Sequence, residues 1–159
     1  MTSHEMSRRL GLSVAALVMT VLAATPVTAA GNTKVEGLLE PDVQGVCADD
    51  PASLGSYVVS GDLTGCWYID EFTVTRESAA GGFRATGREQ FVGCLLETTC
   101  GRFFTEYTFT AKVVDGIETH GRCHHPIVGG DGGFEGVEGV IQMHDLPNGC
   151  ALYKGQLSL

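Results

Sequence analysis

Arg102-Phe103-Phe104-Thr105-Glu106-Tyr107-Thr108-Phe109-Thr110-Ala111-Lys112-Val113-Val114 is the stretch that decides the fold. Phe103, Thr105, Tyr107, Phe109, Ala111 and Val113 fall on one side of it. Phe104, Glu106, Thr108, Thr110, Lys112 and Val114 fall on the other. One side is apolar and the other mostly polar, with a period of two. That is the pattern of a strand with one face in a core.

The same period recurs on either side. In Phe83–Val92, Phe83, Ala85, Gly87, Glu89 and Phe91 oppose Arg84, Thr86, Arg88, Gln90 and Val92. Further on, Val137, Gly139, Ile141 and Met143 oppose Glu138, Val140, Gln142 and His144. Tyr57–Asp62, Cys66–Glu77, Glu118–Val128 and Cys150–Leu159 complete the set of expected strands. Turn chemistry separates them: Ala79-Ala80-Gly81-Gly82, Asp115-Gly116, Gly129-Gly130-Asp131-Gly132-Gly133 and Pro147-Asn148-Gly149. No stretch after residue 31 carries a long helical period. Seven or eight antiparallel strands with short turns make a closed barrel or a sandwich, and a barrel leaves no open edge.

The start of the chain reads differently. Arg8-Arg9 precedes an apolar run from Leu10 to Ala24, and Pro26 and the small residues Thr28-Ala29-Ala30 follow. This order is that of a secretory signal peptide over residues 1–30, cleaved near Ala29-Ala30. The run is shorter than the roughly 20 residues that span a bilayer, so no stable membrane anchor is expected and the protein reads as secreted. Without residues 1–30, eight Lys and Arg stand against 18 Asp and Glu, a net charge of −10. No basic cluster remains, which argues against nucleic acid as a partner. Residues 31–54 read as an irregular arm, interrupted by Gly37, Pro41, Gly45 and Pro51. Residues 55–159 read as one all-β domain.

Cys47, Cys66, Cys94, Cys100, Cys123 and Cys150 all lie after residue 30. An even count in an exported chain reads as a disulfide framework. Cys94 and Cys100 flank a turn-like stretch, so a bridge across a hairpin is expected there, and Cys47 is expected to staple the arm to the body. The other pairings stay open. No spacing is C-x-x-C, so a cysteine metal site is not expected.

The run Gly129-Gly130-Asp131-Gly132-Gly133-Phe134-Glu135-Gly136-Val137-Glu138-Gly139, with Tyr153-Lys154-Gly155 closing the chain, resembles the hallmark of the allene oxide cyclase-like barrels. Plant dirigent proteins carry a similar glycine-rich turn. Gly61–Tyr68, Thr86–Cys94 and Gly121–Pro126 resemble a secreted bacterial branch. The resemblance covers about residues 57–159. It implies an eight-stranded antiparallel barrel whose interior holds a small apolar molecule. It implies no catalytic residue by itself, because a structural turn carries it.

Glu89 shares a face with Phe83, Ala85 and Phe91. If that face lines the interior, a carboxylate sits among apolar groups and is a candidate acid or base. It is otherwise paired with an Arg for structure, or exposed by a change of face near Gly87. Glu118, His120, Arg122 and His124 share one face of a later strand, and His120 or His124 is the candidate partner of Glu89 in proton transfer. Four consecutive polar positions more often form a solvated outer face, with Cys123 and Ile127 turned inward. His124 and His125 point to opposite faces of a strand, so the pair is not expected to hold a metal. Phe83, Phe91, Phe103, Tyr107 and Phe109, with Arg122, are the candidate ligand contacts. No phosphate loop or nucleophile motif appears, and no cofactor is expected. Three functions remain: a binding or interaction barrel for a small apolar ligand, a cyclase or isomerase of the same ligand class, and a structural envelope protein acting as a homo-oligomer.

Overall fold

Thr99–Val114 forms β5 and keeps the alternation of the sequence: Phe103, Thr105 and Tyr107 are buried while Arg102, Glu106, Thr110 and Lys112 are exposed. It pairs antiparallel with β4, Gly82–Leu95, on one side and β6, Ile117–Gly132, on the other. The remaining strands are β1 (Asn32–Pro41), β2 (Gly55–Gly61), β3 (Leu63–Glu77), β7 (Glu138–Asp145) and β8 (Ala151–Ser158). The computed structural model describes residues 31–47 and 52–159; the expected signal segment, residues 1–30, lies outside the described residues. Each strand pairs antiparallel with the next, and β8 pairs back onto β1, so the eight strands close into one ring. Where all eight strands overlap the ring has no open edge, but residues 71–77 of β3 and 117–121 of β6 run on beyond the ends of β2 and β7.

The expected irregular arm is corrected over its first half. Residues 32–41 are a strand paired on both sides, with Val35 and Leu39 buried. Glycine inside a strand weakens it locally, but here Gly37 faces Gly61 across one pairing and Tyr153 across the other. A Cβ at Gly37 would collide with the Tyr153 ring, at 2.6 Å from its Cε1. The glycine that reads as an interruption is therefore the space into which a core tyrosine fits. The glycine-rich stretch is shifted too: Gly129–Gly132 extends β6, and the turn proper follows it.

Two of the expected bridges form. Cys47–Cys66 ties the connection between β1 and β2 to β3, and Cys94–Cys100 closes the β4–β5 hairpin. Cys123 and Cys150 are corrected to free thiols. Cys123 lies on the inner face of β6, opposite Phe109 and Met143, whereas Cys150 stands in the turn before β8. A pairing needs two thiols held at disulfide distance, which an even cysteine count does not ensure.

The strands differ in length, and this shapes the interior. β3 to β6 run to 14–16 residues, while β1, β2, β7 and β8 have 7–10. At one end all eight are present, and their side chains fill the ring. Leu63, Phe91, Phe103, Ile141 and Leu157 are fully buried there. The β6–β7 turn folds Phe134 into this end, with its ring 5.3 Å from Phe103 and 6.0 Å from Phe91. The turn approaches so closely that a Cβ at Gly133 would stand 2.7 Å from the Cys100 carbonyl oxygen. The glycines thus serve to seat a plug. The Tyr153 hydroxyl accepts a hydrogen bond from the Leu63 amide at 2.8 Å, crossing the interior. At the other end the interior is open.

Candidate functional site

The open end holds a cavity of about 430 Å³. Four neighbouring strands build its floor through period-two alternation. Trp67 comes from β3, Glu89 from β4, Tyr107 from β5 and His125 from β6. Trp67 Nε1 donates to Glu89 Oε2 at 2.5 Å. His125 Nε2 lies 2.8 Å from the same oxygen. That contact has ion-pair distance without hydrogen-bond alignment, and neither imidazole nitrogen has a hydrogen-bond partner among the described residues. Yet His125 is fully buried and Glu89 is 8% exposed. The His125 ring lies between aromatic neighbours, 5.4 Å from Trp67 edge-on and 5.6 Å from Tyr107.

Tyr57, Ile69, Phe109, Cys123 and Met143 form the walls. Burial pushes the hydroxyls of Tyr57 and Tyr107 and the Cys123 thiol above their ordinary values. All three therefore remain protonated at neutral pH, and Cys123 is a wall side chain rather than a nucleophile. The Tyr107 hydroxyl donates to the Glu71 carbonyl at 3.1 Å, which holds its ring against the cavity.

At the mouth, Glu118 and Asp145 converge over Gly121, where any Cβ would collide with both carboxyls. A register irregularity between Lys112 and Val113 of β5 and their partners on β6 brings Glu118 there. Desolvation, then the neighbouring charge of Asp145, raises the Glu118 carboxyl to about 7. Desolvation likewise raises Asp145. Two carboxylates brought this close repel each other when both are ionised, so the pair favours a proton on one of them.

Glu89 is where the alternation puts it, inward and among apolar groups. Its expected partners are corrected. His120, Arg122 and His124 are exposed on the outer face of β6, while Gly121, Cys123 and His125 turn inward. Among the described residues no Arg pairs with Glu89, and the change of face near Gly87 does not occur. His124 contacts Gln142 on the outside. Arg122 borders a broad outer depression with His144 and Lys154. The expected common face of Glu118, His120, Arg122 and His124 is split, because the strand irregularity sends Glu118 to the cavity mouth alone. Of the expected ligand contacts, Tyr107 and Phe109 line the cavity. Phe91 and Phe103 are packed in the filled end. Phe83 is not in the lining itself but stacks on Phe72, which is, with ring centroids 6.3 Å apart.

The sequence reading missed His125, Trp67 and Asp145 as site residues. A signal for His125 was present: it shares parity with Cys123 and Ile127, the residues expected inward if His120, Arg122 and His124 face out. His124 and His125 do point to opposite faces, as expected of neighbours in a strand. Among the described residues, no three His, Cys, Asp or Glu side chains are grouped to hold a metal ion. No protein-family model matches the chain, and no curated protein is similar to it.

Proposed function

We propose that the protein is a secreted binding barrel that takes one small, largely apolar molecule into the open end of its ring. One observation carries this: a cavity of about 430 Å³ with aromatic walls has a buried polar group, His125, whose Nε2 lies against Glu89 while its Nδ1 has no hydrogen-bond partner. Apolar pockets with a few convergent polar groups are the usual form of a ligand site. A buried polar group without a partner costs about 1–3 kcal/mol, and a ligand that bonds to it removes that cost. The resemblance of residues 57–159 to allene oxide cyclase-like barrels supports the same reading. The signal-like residues 1–30 and the two disulfides support work outside the cell.

Native mass spectrometry of protein from the secreted fraction tests it. A bound organic mass is expected, and it should be lost in Cys123→Phe, which fills the cavity from its wall. A bare chain would overturn the proposal.

A second reading has one observation in its favour, the Glu89–His125 contact at the cavity floor. A carboxylate against an imidazole can take and return a proton, as a cyclase or isomerase requires. Here His125 replaces His120 and His124 as the partner. Glu89→Gln separates the two readings: a binding barrel keeps its ligand mass, whereas an isomerase keeps the ligand but ceases to convert it.

A further inference from the structure

The charges around the cavity are one-sided. Glu89 faces it from β4, Glu118 from β6 and Asp145 from the end of β7, and no Lys or Arg lines it. The basic side chains of the same strands turn away. Lys112 on β5 and His120, Arg122 and His124 on β6 are all exposed on the outside. Carboxyl groups in a partly desolvated space need a counter-charge or a shared proton. Glu89 has Trp67 and His125. Glu118 and Asp145 face each other over Gly121.

Two further features fit a positive ligand. Trp67, Tyr57 and Tyr107 line the cavity, and aromatic faces attract cations. His125 is fully buried, with Nε2 against Glu89 and no hydrogen-bond partner at Nδ1. With an Nε2–H turned to Glu89, Nδ1 is the accepting nitrogen, and what it lacks is an N–H donor. An anionic ligand would face three carboxyl groups and no Lys or Arg.

Resting on the reading of the open end as a binding site, we infer that its ligand is a protonated amine on a compact apolar body, held between the Glu118–Asp145 pair and the aromatic floor.

Binding of such a cation favours the ionised form of the carboxyl pair, so it expels the shared proton. The groups facing that pair are Glu89, Tyr57, Tyr107, Cys123 and His125 across the cavity, with His144 beside Asp145. Glu118 titrates near 7, so amine affinity should rise with pH through that region.

Trp67 is the only tryptophan of the chain and lies on the cavity floor, so its emission reports occupancy. Three probes of one shape would be titrated into the disulfide-bonded protein: 1-adamantylamine, 1-adamantanol and 1-adamantanecarboxylate. The amine is expected to bind at least about tenfold tighter than the alcohol, with the carboxylate weakest. Its affinity is expected to rise about tenfold from pH 6 to 8, with one proton linked, while the alcohol stays flat. Glu118→Gln with Asp145→Asn should abolish the preference and leave alcohol binding in place. Equal binding of amine and alcohol by the native protein overturns the charge inference and leaves the binding site standing. Failure of all three probes overturns both.

Discussion

The filled and hollow ends of this ring are built from the same strands with the same alternation, yet they do different things. At the filled end, Phe91, Phe103 and Phe134 interlock with ring centroids 4.9–6.0 Å apart and no exposure. At the hollow end, Phe109 and Phe83 also pair, at 5.9 Å, but both stay partly exposed, and Phe72 is 47% exposed. The difference lies in what stands opposite. The filled end has eight strands around it and receives Phe134 from the β6–β7 turn. The hollow end loses β1, β2, β7 and β8 before β3 to β6 finish. Aromatic content alone therefore does not distinguish a core from a cavity wall; closure does.

Truncating one aromatic from each end tests this contrast most strongly. Phe91→Ala should cost about 3–5 kcal/mol in denaturant unfolding, the range for a fully buried Phe. Phe109→Ala should cost about 1–2 kcal/mol, because much of its surface already meets solvent. Equal costs would mean that both ends are core and would break the comparison.

Cutting the Cys47–Cys66 bridge, which spans 19 residues, should cost roughly 3 kcal/mol. The Cys94–Cys100 bridge spans 6 residues and should cost roughly 2 kcal/mol by the same chain-entropy argument. Equilibrium unfolding of the paired Cys→Ser variants checks the order. The reverse order would mean that native contacts at the hairpin, rather than loop closure, dominate.

A pH series sharpens the contrast at lower amplitude. Glu118 in the folded protein titrates near 7, above its ordinary value of 4.5. The folded state thus holds this proton more tightly than the unfolded state. The resulting stability is complete below about pH 4.5 and is lost as pH rises to about 7. Asp145 is shifted in the same direction. The melting temperature of the unliganded protein should fall over that window, and Glu118→Gln should flatten the fall. A melting temperature that rises there would contradict the carboxyl pair.

The smallest effect is expected on the outer wall. His120→Ala, His124→Ala and Arg122→Ala should each change stability by no more than about 0.5 kcal/mol and leave Trp67 emission unchanged. A larger loss of cavity binding in any of them would return these residues to the site.

Local pattern made the strands legible, because alternation over a few residues assigns faces without knowledge of partners. Alternation thus puts Phe103 and Tyr107 on an inward face and gives Glu89 the parity of Phe83, Ala85 and Phe91. Its direction is left open until β4 is seen to keep one face past Gly87. The Cys94–Cys100 bridge follows from its short turn. The β1 strand was not legible, because Gly37 looks like an interruption until Tyr153 occupies the space beside it. His125 was within reach by parity, but His120 and His124 on the same strand drew the attention that a buried lone histidine does not.

By itself, then, the sequence determined that this is an all-β, disulfide-bonded acidic chain with a carboxylate turned toward its apolar face. Tertiary structure alone decided that the strands close into a ring, that Phe134 fills one end, and that Glu89 meets His125 and Trp67. The reason is one of range. Alternation is written in neighbouring residues, whereas a meeting of β3, β4 and β6 depends on strand lengths, registers and irregularities that are settled only when all eight strands pair.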